Sequence, residues 1–375
     1  MVLRDFLDGI RVLDLSQYLP GPFATRMLAD MGADVVKVEP PGGEPGRYFD
    51  AEGHPGDSPF WMVNNAAKTV ITLDLKSDDG RAALATLIGA ADILLESYRP
   101  GVLDRLGFGA EALQQMNPRL IHCALSGYGQ TGPYKLASGH DINYESLTGG
   151  LDQCGVPERP VIPFPPMADY AGALQAVISV LGALQGRAHT GLGCFLDVSM
   201  AESLLFWNTL SFNAPMARGR GLLNGGAAFY RIYPTADGRF VSLSPLEPKF
   251  WDNFCAAVGR PDWQKRRYEP LPQDGLIAEV EALFASQPLA HWDTLLPVAD
   301  CCYQAVLRLD EVPGHPQIEA RGLIDRSGRW TDVLFPTLVD GGAAAPRRPA
   351  DEVPVTDVLT RWAGATPPSD GSGDG

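Results

Sequence analysis

No CxxC pair exists among the six cysteines, which fall at 123, 154, 194, 255, 301 and 302. The chain therefore seeds neither a zinc knuckle nor a redox dithiol, and the cysteines read as reduced thiols of a cytoplasmic protein. Positive charge is short: 30 Lys and Arg face 45 Asp and Glu, a net charge of −15 with no basic run. That balance argues against a nucleic-acid partner. No apolar stretch approaches the length that spans a bilayer, and the start MVLRDFLDG lacks a basic segment followed by an apolar core. The expectation is a soluble chain with no export signal and no membrane partner. There is no internal repeat, and the first strand-to-helix turn, SQYLPGPF, carries no GxGxxG, which argues against a dinucleotide dehydrogenase. Turn formers are plentiful, with 41 Gly and 32 Pro in 375 residues, and they signal many turns and long ordered connections rather than a helical array.

The order of elements points to an α/β fold. IRVLDL at 10–15 reads as a strand. PGPFATRMLADMG follows as a helix with Pro20 and Pro22 at its start and Gly32 at its end, and ADVVKVE at 33–39 is the next strand. That βαβ unit begins a parallel sheet. TVITLDL at 69–75, a helix over DDGRAALATLIGAAD capped by Asp78 or Asp79, DILLES, and RLIHCALSG at 119–127 continue it. AGALQAVISVLGALQG, just after Asp169, is apolar on nearly every face, as in a helix buried inside an α/β layer or a subunit contact. CFLDVSM adds a strand and AESLLFWNTLSF a helix. The expected organisation is a Rossmann-like parallel-sheet large domain over 1–200, rejoined by the chain at 325–363. A linker helix and loop follow at 201–224, then a small α+β domain over 225–320 with a hairpin and a helix from Lys249 to Val258, and a disordered tail over 364–375.

A few side chains stand out. His140 lies in SGHDINY, a Gly-flanked loop between expected elements. Asp169 sits at a helix start, where it can serve as an N-cap and where neighbouring amides can stabilise an oxyanion. Glu247, in SPLEPKFW, follows a strand and precedes a helix and can be an ordinary capping or first-turn acid. Lys37, Lys68, Arg99 and Arg105 fall near element ends, where an acidic chain needs cations to hold a polyanionic ligand.

Six stretches together resemble the family III CoA-transferase (CaiB/BaiF) fold family, which includes α-methylacyl-CoA racemases. They are GIRVLDLSQYLPGPFATRMLADMGADVVKVEPPGG, NNAAKTVITLDLK, ESYRPGVLDRLGF, SGYGQTGPY through GHDINY, MADYAGALQAVISVLGAL, and GGAAFYRIYPTADGRF with LEPKF. GHDINY and LEPKF look like racemase versions, and NGGAAFY has no clear counterpart of the glycine-rich loop that shields the transferases' intermediate. The resemblance implies an isomerase that interconverts (2R)- and (2S)-2-methylacyl-CoA. His140 and Asp169 would be its acid/base pair, Glu247 would orient the imidazole, and neither metal nor redox cofactor would be required. It further implies that Leu19, Lys37, Asn65, Lys68, Tyr98, Arg99 and Arg105 line the CoA moiety, with Gly139, Asp141, Asn143 and Tyr144 around the thioester. Pro40 and Ala305 stand where several relatives carry arginine and proline. Members are interlocked homodimers, so the partners expected are the acyl-CoA and a second copy of the chain. Two rival readings are a CoA-transferase with Asp169 as nucleophile and a non-catalytic acyl-CoA binding protein.

Overall fold

The computed structural model describes residues 1–49, 58–214 and 217–363, so the expected tail over 364–375 lies outside the described residues. Numbered along the chain, the strands of the first unit are β1 (Arg11–Leu15), β2 (Asp34–Glu39), β3 (Thr69–Thr72), β4 (Ile93–Glu96), β5 (Ile121–Ser126), β8 (Cys194–Ser199), β12 (Ile324–Asp325), β13 (Asp332–Val333) and β14 (Asp351–Glu352). Its helices are α1 (Pro20–Asp30), α2 (Pro59–Asn65), α3 (Asp78–Ala90), α4 (Val102–Arg105), α5 (Ala110–Met116), α6 (Asp141–Leu147), α8 (Met167–Thr190), α9 (Met200–Trp207), α14 (Pro316–Arg321) and α15 (Val355–Ala363).

Seven strands form one parallel sheet in the order β14-β3-β2-β1-β4-β5-β8. Apart from the outer β14, this is the 3-2-1-4-5-6 order of doubly wound nucleotide folds, which bears out the α/β reading. The strands are short continuous apolar runs because both faces are covered. One face carries α1 and α8, with Ala24, Leu28, Ala176 and Val180 in its core. The other carries α3, α5 and α15, with Leu84, Leu113 and Trp362. Pro20 opens α1 with its φ already helical, and Gly32 follows the helix at φ 107°, where a Cβ would lie 1.8 Å from the Arg4 carbonyl oxygen. The cap of α3 is Ser77, whose Oγ accepts from the Gly80 amide at 3.0 Å, and not Asp78 or Asp79 as expected; both aspartates lie inside the first turn.

α8 corrects the expectation that no stretch reaches bilayer length. Its 24 residues, with a mean hydropathy of 1.4 in the most apolar window, are long and apolar enough to cross a membrane by length and composition alone. Small residues, among them Ala171, Gly172 and Ala176, line its buried face and let it pack closely on α1 and β5.

The chain divides into two compact units, the first comprising Met1–Glu145, Pro166–Phe206 and the segment from Pro316, the second Ser146–Pro165 and Trp207–His315. The second contains β6 (Gly155–Val156), β7 (Arg159–Pro160), β9 (Arg231–Pro234), β10 (Phe240–Leu243) and β11 (Tyr303–Ala305). Its helices are α7 (Gly150–Gln153), α10 (Thr209–Asn213), α11 (Pro248–Ala257), α12 (Asp274–Phe284) and α13 (Leu289–Leu295). Segment 146–165, expected in the large domain, belongs here because Arg218 fastens it, donating to the carbonyls of Asp152, Val156 and Pro157 and to the Asp152 carboxylate. Residues 207–214 and 217–224, expected to link the domains, are likewise part of this unit. The return to the first unit begins at Pro316 rather than 325. The second unit's core is aromatic: Trp251, Phe254, Trp263 and Phe284 are fully buried and pack ring to ring at 5.4–6.4 Å.

Candidate active site

In the strand order of the first unit, β1 is followed on one side by β2 and on the other by β4. The loops that leave the carboxyl ends of β1 and β4 therefore diverge, and a crevice opens between them. A cleft of about 770 Å³ lies there. Gln17 and Tyr18 come to it from the end of β1, Ser97, Tyr98 and Arg99 from the end of β4, and Gly127 and Tyr128 from the end of β5. Gly139, His140, Asn143, Tyr144 and Asp169 are also part of its wall. Tyr18 holds φ at 65°, a left-handed backbone that a bulky residue rarely adopts, and the Glu44 carboxylate accepts its amide at 2.9 Å.

His140 caps α6 rather than sitting in a free loop. Its amide donates to Asn143 Oδ1 at 3.0 Å and its carbonyl accepts from the Asn143 amide at 2.8 Å. Tyr144, one turn on, donates its hydroxyl to the Gly139 carbonyl at 2.6 Å and stands edge-on to Tyr128 at 5.0 Å. Gly139 must be glycine for this packing, since a Cβ there would come within 2.9 Å of the Tyr144 ring. Asp169 is the third residue of α8, whose N-cap is Pro166, so it does not cap its helix as expected. Asp141 does that work from α6: its Oδ1 accepts the Ala168 amide at 2.7 Å and the Asp169 amide at 3.1 Å. Those two amides are therefore committed, which removes the oxyanion donors expected at this helix start. Burial first, and then the charges of Asp141 and Glu145, push the Asp169 carboxyl up to about 7.

The expected CoA contacts separate into groups. Tyr98 and Arg99 line the cleft, with Gly139, Asn143 and Tyr144. Lys37, Asn65 and Lys68 do not: each is completely buried and saturated by internal partners. Lys68 Nζ donates to Asp14 Oδ2, the Pro22 carbonyl and Asn65 Oδ1, all at 2.9 Å. Lys37 Nζ donates to the Ser16 carbonyl at 2.8 Å and pairs with Glu44 Oε1 at 3.2 Å. Strand-end cations usually reach solvent, whereas here the Pro22 carbonyl of α1 and Asn65 of α2 close over Lys68, and the Ser16 carbonyl and Glu44 close over Lys37. Leu19 is buried at the N-cap of α1, Arg105 is exposed on α4, and Asp141 is turned toward α8; none of the three lines the cleft. Glu247, the N-cap of α11, lies in the second unit, outside that lining. Sequence reasoning missed Tyr18 and Lys135. Lys135 joins Arg99 as a second cleft cation, and its only signal was its place in the long loop after β5. Among the described residues no group of three or more His, Cys, Asp or Glu is arranged to hold a metal.

A doubly wound sheet with a cation-bearing cleft at its switch point, and a carboxyl poised near neutrality inside it, is the build of an α/β enzyme for nucleotide-bearing substrates. A model of CoA-transferase family III matches residues 7–354, and the chain belongs to that family, whose members are racemases and CoA-transferases that act on acyl-CoA substrates. Human alpha-methylacyl-CoA racemase is 36% identical over 325 residues, covering 84% of this chain and 81% of the relative. The acetyl-CoA:oxalate CoA-transferase of Acetobacter aceti is 32% identical over 336 residues, 86% of each chain. The crystal structure of a CAIB/BAIF family protein from Brucella suis superposes with a TM-score of 0.82 at 25% identity, covering 95% of this chain and 98% of that one.

Proposed function

We propose that the protein interconverts the two epimers of a 2-methylacyl-CoA thioester by 1,1-proton transfer through an enolate. The observation that carries this reading is that His140 and Asp169 line one cleft and that Asp169 is held at about 7, where a carboxyl can act as acid or base at neutral pH. In one direction the neutral His140 imidazole takes the α-proton, the electron pair moves onto the thioester oxygen, and protonated Asp169 returns a proton to the other face of the carbon. In the reverse direction the Asp169 carboxylate takes the proton and the imidazolium donates it. Arg99 and Lys135 would hold the phosphates of the CoA. The thioester itself acidifies the α-carbon, so no cofactor is invoked. Glu247 would reach His140 across a homodimer of cytoplasmic enzyme, and a monomeric mass by light scattering at micromolar concentration would remove that part.

CoA transfer is the second reading, favoured by the Acetobacter aceti relative, which matches as much of the chain. It needs Asp169 ionised as a nucleophile, and a carboxyl at about 7 is only half ionised at neutral pH. The deciding experiment incubates a single-epimer 2-methylacyl-CoA with the protein in deuterated water and follows deuterium uptake and epimer ratio by NMR. Racemisation predicts exchange approaching a near-equal mixture, reduced about 10²–10⁴-fold in His140→Ala and Asp169→Asn. No exchange over several chain lengths, with an aspartyl intermediate trapped by hydroxylamine, would mean CoA transfer.

A further inference from the structure

Tyr18 stands in the cleft wall with a left-handed backbone, φ 65°, and a side chain that is 38% exposed and meets the Phe49 ring at 5.8 Å. Such a conformation persists only where its surroundings impose it. Three backbone groups of the turn between β1 and α1 are taken by side chains from elsewhere in the unit. The Ser16 carbonyl accepts from Lys37 Nζ at 2.8 Å, the Gln17 amide donates to Ser97 Oγ at 2.9 Å, and the Tyr18 amide donates to Glu44 Oε2 at 2.9 Å. Lys37 and Glu44 also pair with each other, Nζ to Oε1 at 3.2 Å, so one ion pair grips the turn on both sides of Gln17. Glu44 is fixed in its turn, since Asn65 Nδ2 donates to Oε1 at 3.3 Å and its own amide donates to Glu39 Oε2 at 3.2 Å. The pair is closed off from solvent, and neither member lines the cleft. A buried ion pair is a weak source of stability, because desolvation offsets its attraction; what this one determines is a backbone conformation.

We propose that Glu44 is a positioning residue for the cleft: held by Lys37, it fixes Tyr18 in the left-handed backbone that sets the tyrosine side chain against the bound CoA thioester. This rests on the reading of the cleft as the CoA site. Release of the Tyr18 amide lets residue 18 relax to negative φ, the default for an L side chain, and that rotation carries the ring away from its place in the wall. A glycine at 18 would hold the same backbone without help but would present no ring. Neither Lys37 nor Glu44 touches the substrate. Lys37, expected among the CoA contacts, acts on it at one remove, through the Ser16 carbonyl and the Glu44 carboxylate.

The test sets Glu44 against Tyr18 in the full-length protein, by calorimetric titration with CoA. Glu44→Gln leaves one oxygen to serve both Lys37 and the Tyr18 amide. Lys37→Met with Glu44→Met replaces the whole pair by apolar side chains, which keeps the fold should the single change not. Each should weaken CoA binding about tenfold and, in α-proton exchange, raise KM far more than it lowers kcat. The discriminating variant is Tyr18→Gly, which adopts the left-handed backbone without strain and carries no ring. In its background the pair replacement should weaken CoA binding no further, because the group it positions is gone. An unchanged affinity in the folded Glu44 variants, or a full loss that persists in the Tyr18→Gly background, overturns the proposal. CoA binding without α-proton exchange would remove the racemase reading and leave this test standing. No CoA binding by the unsubstituted protein would overturn both the cleft reading and the role of Glu44.

Discussion

Two clusters of buried charge lie in the first unit, and they are built on opposite principles. Beneath β1, β2 and β3 the network is balanced: Asp14 with Lys68, Glu44 with Lys37, and Glu39 with Arg47 at 2.5 Å, whose guanidinium also lies over the Trp61 ring at 3.8 Å. Burial alone would raise the Asp14 carboxyl, but Lys68, Lys37 and the hydroxyls of Ser16 and Thr25 outweigh it and hold it well below its ordinary value. At the cleft the cluster has one sign. Asp141, Glu145 and Asp169 lie together there, and burial first, then the neighbouring acids, push the carboxyls of Glu145 and Asp169 up to about 7, with no cation among the causes. Ion pairing keeps the Asp14 carboxyl of the first cluster ionised far below neutrality. Burial and, after it, crowded like charges leave Glu145 and Asp169 of the second with protons that move there.

Breaking the balanced cluster should cost the most. Lys68→Met strands Asp14 in the interior with one cation fewer, and urea unfolding should show a loss of about 3–5 kcal/mol. A loss below 1 kcal/mol would mean that the network contributes nothing that packing cannot. Breaking the one-signed cluster should do the reverse. The folded Asp169 carboxyl is raised from an ordinary 3.8 to about 7, so the stability tied to its protonated form is whole below pH 4 and is lost as pH rises through 7. Asp169→Asn, which never ionises, should therefore be more stable than the unsubstituted protein by on the order of 2 kcal/mol at pH 8, with the difference gone by pH 4. Paired thermal melts at the two pH values check the sign. The smallest effect sharpens the contrast between buried and cleft cations. Arg99→Ala should raise KM for the CoA thioester about fivefold with kcat nearly unchanged, and Arg105→Ala, which lies outside the cleft, should leave both alone.

Much of the fold was legible because its signals are local. Pro20 at the start and Gly32 past the end delimit α1 as expected, and the apolar runs at 11–15, 34–39 and 121–126 are strands to within a residue or two. Where the reading failed, the deciding partner was distant in the sequence. Lys68 looks like a strand-end cation until Asp14, 54 residues earlier, and the Pro22 carbonyl close over it. Asp169 looks like an N-cap until Asp141, 28 residues earlier, takes its amide. Segment 146–165 looks continuous with the sheet domain until Arg218 ties it elsewhere.

By itself, then, the sequence determined the βαβ order, the glycines and prolines that turn the chain, and the six motifs that resemble one family with His140 and Asp169 among them. Only the tertiary structure decided which charges are buried with opposite partners and which with like ones. Residue type states what a side chain can ionise to. Whether it does so depends on burial and on the sign of its neighbours, and those neighbours are brought close by packing across the chain rather than along it.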